Sequence, residues 1–175
     1  MAGSLIKIQE TTVSSATANV DLTGIDDTYD VYMVKLYNVV PSTDGASLYC
    51  RVLESGTANT AAKYDWADVY MRTNSSFANE AQENNTQWNW QPTLGSASNE
   101  SGQGIVYLFN FSNASEYSMF TKEMTYIRAD SSSLTGGQGG GVFTDATNCN
   151  GVSIFMSSGN IASGTFVLYG LKITS

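Results

Sequence analysis

Apolar and polar residues alternate with a period of two along most of this chain, in short segments bounded by turn residues. That is the pattern of β-strands, whose successive side chains point to opposite faces. Leu5–Val13 predicts a first strand, with Ile6 and Ile8 set against Lys7 and Gln9. Ser14 and Ser15 end it. Ala16–Leu22 predicts a second, with Ala16, Ala18, Val20 and Leu22 on one face. Val31–Val40 predicts a third of a different kind. Val31, Met33, Lys35, Tyr37 and Val39 alternate with Tyr32, Val34, Leu36, Asn38 and Val40, so both faces are largely apolar. Such a strand suits the centre of a sandwich, covered on both sides, or covered on one and docked to a neighbour on the other. Its flanks, Gly24-Ile25-Asp26-Asp27 and Pro41-Ser42-Thr43-Asp44-Gly45, are turn chemistry, because Gly supplies positive φ and Pro presets φ. Ser47–Leu53 predicts a fourth strand, with Leu48, Cys50 and Val52 facing one way.

The middle of the chain alternates less cleanly. Ala62–Arg72 reads as a strand with Tyr64, Trp66, Asp68 and Tyr70 on one face. A short helix is the alternative, and the aromatic content favours the strand. Ser75–Ser101 is rich in Asn, Gln, Ser and Glu around Trp88, Trp90 and Leu94. It predicts a long excursion holding one short strand, and long loops are often functional or partner-contacting. Ile105–Phe111 is a strongly apolar strand. Met119–Ala129 follows it, with Phe120, Lys122, Met124, Tyr126 and Arg128 on one face. The Ser/Gly run Ser131–Gly141 predicts a flexible loop. Gly141–Thr144 and Val152–Met156 are expected to pair, and Gly164–Thr174 to close the chain as a long strand. No internal repeat or composition break divides the chain. Residues 1–175 are therefore expected to form a single all-β domain, a jelly-roll-like antiparallel β-sandwich.

Composition supports that reading and narrows the chemistry. Only 14% of the 175 residues are charged, against about 25% in an average protein. The 16 Gly and 10 Tyr belong to a turn-rich β protein. The formal net charge is -8, and the 8 basic residues are scattered. Neither nucleic acid nor an anionic membrane is an expected partner, since both demand clustered Lys and Arg. An acidic surface suits solubility, or docking onto a basic partner surface. No apolar run approaches the roughly 18 residues of a membrane helix, and MAGSLIKIQETTVSS lacks the apolar core of a signal peptide. Cys50 and Cys149, far apart in sequence, are expected to be free thiols of a protein made in a reducing compartment.

Candidate chemistry is sparse. The chain has no histidine, so neither a Ser-His-Asp nor a Cys-His nucleophile arrangement can be built, nor zinc sites of the usual His/Cys types. A carboxylate pair for glycoside hydrolysis would come from Asp26, Asp27, Asp30, Asp65, Asp68, Glu80 and Glu83, most of which sit in turn contexts that explain them. Loop oxygens near Asp26, Asp27 and Asp44 are conceivable calcium ligands, without the order of an EF-hand loop. Gly136–Gly141 lacks the Gly-Lys-Ser/Thr ending of a phosphate loop. No enzyme activity, cofactor or metal is expected. The residues singled out for contact with a partner or a glycan are Trp66, Tyr70, Trp88 and Trp90. Exposed, with Asn and Gln nearby, tryptophans make a stacking platform for sugar rings. As core or interface residues they would supply packing, and that is the favoured reading.

Two blocks carry a resemblance. Val20-Asp21-Leu22-Thr23-Gly24-Ile25-Asp26-Asp27-Thr28-Tyr29-Asp30-Val31-Tyr32, followed by Asn38-Val39-Val40-Pro41-Ser42-Thr43-Asp44, resembles a pattern in virion proteins of marine and cyanobacterial tailed phages. Gly159–Lys172 is similar to the closing strand of the same group. The resemblance implies a virion structural protein, made in the host cytoplasm. Within the group, a sandwich that begins almost at Met1 suits a capsid decoration protein better than a fibre with a long shaft. Its expected partner is the major capsid protein or another virion protein, with a homotrimer at a local symmetry axis of the shell. A receptor-binding module of a tail or head fibre, holding host surface glycan, is the alternative.

Overall fold

The computed structural model describes residues 4–172. It contains β1 (Ser4–Val13), β2 (Asn19–Thr23), β3 (Val31–Pro41), β4 (Leu48–Glu54), β5 (Thr57–Ala58), β6 (Tyr64–Arg72) and β7 (Phe77–Asn85). These are followed by β8 (Trp88–Gln91), β9 (Gly102–Phe109), β10 (Ser118–Ile127), β11 (Leu134–Phe143), β12 (Gly151–Met156) and β13 (Ile161–Lys172). There is no helix among the described residues. A long sheet runs in the order β1-β13-β3-β9-β10-β11-β6-β7. A shorter one runs β2-β12-β4-β5, with β8 also paired to β4. Every pairing is antiparallel.

The antiparallel sandwich expected from the alternation is what forms. Its finer connectivity differs from an eight-stranded jelly roll of two Greek keys: the strands divide eight to five, and β9, β10 and β11 run as a meander inside the long sheet. The inner faces follow the period-two pattern closely. On β10, Phe120, Lys122, Met124 and Tyr126 are buried while Met119, Thr121, Glu123 and Thr125 are exposed. Val20 and Leu22 of β2, and Leu48, Cys50 and Val52 of β4, face them across the core. Both cysteines are buried free thiols. Burial pushes the Cys149 thiol up to about 11, and Cys50 is raised for the same reason.

Three sequence expectations are corrected. The Ser/Gly run is mostly strand: β11 lies between β10 and β6 and pairs with both along its length. Its glycines make room for neighbouring side chains. A Cβ at Gly139 would sit 1.9 Å from Asp68 Oδ1, and one at Gly141 2.5 Å from the Phe120 ring. Glycine composition here reflects crowding rather than flexibility. The Asn/Gln-rich excursion holds two strands, β7 and β8, on different sheets. Gly141–Thr144 and Val152–Met156 do not pair: β11 belongs to the long sheet, and β12 pairs with β2 and β4 in the short one. The expected end of the last strand, Thr174, lies outside the described residues.

Candidate functional site

The four residues singled out for partner or glycan contact lie in the core. Trp88, Trp90 and Tyr70 are fully buried and Trp66 is 7% exposed. Trp88 and Trp90 are two apart on β8 and share its inward face, as strand geometry requires. Trp88 packs against Tyr64 at 5.1 Å and Phe120 at 4.8 Å between ring centroids. Its Nε1 donates to the Val142 carbonyl at 3.2 Å. A contact surface built on these rings is therefore corrected to a core plug: β8 lays them against the long sheet, where rings of this size remove most apolar area from water.

Beneath this plug sits a buried ion pair that composition did not reveal. Lys122 of β10 donates to Asp68 Oδ2 of β6 at 2.9 Å, to the Asn89 carbonyl at 2.6 Å and to the Trp90 carbonyl at 3.0 Å. The Tyr70 hydroxyl donates to the same Asp68 oxygen at 2.8 Å. Both charged side chains are shut off from solvent. Burial draws Lys122 down from the ordinary lysine range and Asp68 up from the carboxylate range, and their mutual attraction opposes both shifts. The pair uses all three ammonium protons and ties the long sheet to β8 of the short one. It is a clamp between layers.

The remaining candidates are dispersed. Asp26 receives the Thr28 N–H and the Tyr32 hydroxyl, both at 2.9 Å, and its carboxyl is held below the usual range by them. Asp65 receives the Asn84 N–H at 2.7 Å, and Asp44 the Ser96 N–H at 2.9 Å. These are the turn and edge roles that Asp commonly fills. Asp68 and Glu80 do stand opposite each other on β6 and β7, but Asp68 is committed to Lys122 and Tyr70. Among the described residues, no three His, Cys, Asp or Glu side chains converge as a metal-binding group. Because the short sheet is narrower, β7 overhangs it. A polar cleft of about 270 Å³ opens there, lined by Tyr49, Trp66, Glu80, Gln82, Gln87 and Asn89 among others.

The outer face of the long sheet is exposed over β9, β10, β11, β6 and β7, while Met33 and Val167 on β3 and β13 are buried among their neighbours. Side chains line up across it in register. One row reads Val167, Lys35, Ile105, Glu123, Gln138, Val69, Asn79 from β13 to β7. The next reads Tyr169, Met33, Tyr107, Thr121, Gly140, Ala67, Ala81. Met71 and Phe77 lie together at one end of the face, and Phe109 and Met119 at the other. Phe77 is 76% exposed, and Met119, Leu134, Met71, Val69 and Tyr107 are exposed large apolar side chains of the same face. A groove of about 480 Å³ crosses it between Tyr37, Ile105, Thr125, Gly136 and Met71. The outer face of the short sheet differs. There Asp21 accepts from Ser153 at 2.6 Å, and Arg51 lies 4.6 Å over the Phe155 ring while donating to the Thr86 carbonyl. Its groups satisfy one another.

Exposed large apolar side chains thus gather toward the two ends of this face, with polar rows between them. One signal for it was legible in the sequence: the two-sided apolar character of Val31–Val40, whose outer residues Met33, Lys35 and Tyr37 lie on this face. The fold defines the class, an antiparallel β-sandwich. Compared with protein-family models, with curated proteins and with solved structures, the chain matches none.

Proposed function

We propose that this is a non-enzymatic assembly protein that works by docking its long sheet, and that its setting is a phage virion, as a decoration protein on the capsid. The observation that carries the docking role is the outer face of the long sheet, where Phe77, Met71 and Leu134 are exposed toward one end and Met119 at the other. The virion setting rests on the sequence resemblance. A protein of this kind attaches through many weak contacts repeated over a lattice, so modest affinity per copy suffices. Immunogold labelling of purified particles tests the setting. Dense regular label over the head supports it, and label confined to the tail or to fibres, or no label, overturns it. Particles carrying the Met119→Asp chain are expected to lose label and heat resistance together.

One observation favours the glycan-binding module as a second reading. The cleft under β7 is lined by amides and bordered by Tyr49, which is the polar and aromatic mixture that sugar hydroxyls and a ring face use. Loss of binding on a glycan array in Gln82→Ala and Gln87→Ala, with the head unlabelled, would favour it over the first.

A further inference from the structure

We propose that a second copy of this chain covers the outer face of the long sheet, in a twofold pairing whose axis runs along β9 through Ile105. This rests on the docking role just assigned to that face and names its occupant: the sheet docks copy to copy, and the pair meets the particle through its remaining surface. Three observations carry it.

The first is charge. Apart from Glu10 at the β1 edge, which pairs with Lys7 of its own copy, the central row carries one cation and one anion, and they flank one residue: Lys35 on β3 and Glu123 on β10 are both cross-strand partners of Ile105. A half-turn about an axis parallel to β9 exchanges the strands on its two sides. It sets Lys35 of each copy opposite Glu123 of the other, so the face is complementary to itself. A basic partner, which the net charge of -8 would suggest, meets Lys35 here instead of an acidic cluster. Two acidic chains meet most easily where their charges pair.

The second is shape. The same rotation relates Tyr169, two strands to one side of Tyr107, to Gly140, two strands to the other side in the same row. The tyrosine of one copy stands over the position where β11 of the other has no side chain. Tyr107 lies on the axis beside its own counterpart. An isologous interface requires this, one patch that fits itself.

The third is area. With the axis on β9, seven of the eight strands of each copy overlap. At about 4.8 Å apart and with four cross-strand rows of side chains they span about 34 by 26 Å, or about 880 Å², close to the roughly 800 Å² per partner of a standard stable interface. Sheets packed face to face this way align within about 30°, the angle their twist sets.

Sedimentation velocity of the purified full chain tests the pairing. The expected mass is twice the 18.8 kDa of one chain. Lys35→Glu and Glu123→Lys, both at exposed positions, are each expected to weaken association by about tenfold or more through like-charge contact. Lys35→Glu combined with Glu123→Lys is expected to restore it. Circular dichroism checks that the single variants stay folded. A monomer, a trimer, a dimer indifferent to both single substitutions, or a double variant that stays dissociated overturns the pairing. A monomer that still labels phage heads sinks the dimer alone, and a dimer absent from particles sinks the virion setting alone.

Discussion

Trp88 shows what a single residue contributes. It touches Tyr64, Phe111 and Phe120 and satisfies its one polar atom on Val142. Trp88→Ala leaves a cavity between two layers, and is expected to cost about 3 to 5 kcal/mol of unfolding free energy, read from urea midpoints at unchanged slope. In sequence, the spacing of Trp88 and Trp90 permits a platform as well as the favoured packing role, because it assigns them to one face without saying which way that face points. Asp130 is the contrasting surface case. Arg128 donates to both its carboxylate oxygens, at 2.9 and 2.5 Å, and its carboxyl is lowered to about 2 chiefly by those bonds. A depressed carboxylate stabilises the fold above its unfolded value and loses that contribution as pH falls through the folded one. Carboxyl NMR of the native chain is expected to show Asp130 titrating near 2, and Arg128→Gln to return it toward about 3.9. Asp130 is half exposed, so solvent screens the pair and its effect on stability is small.

At the scale of elements, β11 is the instructive case. Its glycines resemble a linker in composition, yet it is fully paired on both edges. Gly141→Ala is expected to destabilise the protein by more than 1 kcal/mol, since the new methyl meets the Phe120 ring and the Asp65 carbonyl at 2.5 Å. Gly136→Ala is the control: its Cβ meets nothing nearer than 3.8 Å, and it is expected to be neutral or slightly stabilising in a thermal melt. The strands with clean alternation, β2, β4 and β10, were legible because one face of each is more deeply buried than the other. The strands β7 and β8 were obscured by their amides. On the overhanging edge strand β7, neither face meets a full opposing layer, so burial imposes no alternation for a reader to find.

For the whole molecule, the clamp of Lys122 and Asp68 fixes one sheet against the other. Removing one partner strands a buried charge, and Lys122→Met is expected to cost about 3 to 5 kcal/mol in denaturant. Asp68→Leu added to Lys122→Met is expected to recover part of that loss, because no unpaired ion then remains. The Tyr70 hydroxyl and two carbonyls still lose their partner. In sequence, Lys122 stands among Phe120, Met124 and Tyr126 on one face of its strand, which marks it as inward. Its acceptors come from residues 32, 33 and 54 positions away in the chain, beyond any local pattern. The period-two strands, the all-β class, the low and acidic charge and the absence of histidine chemistry could all be read from the chain, because each depends on residue type or nearest-neighbour spacing. Tertiary structure alone decided which strands share a sheet, that the tryptophans point inward, that the glycine run is a packed strand and that one apolar sheet face stays open. Those outcomes depend on which distant segments are brought together, and alternation assigns a side chain to a face without saying what lies against it.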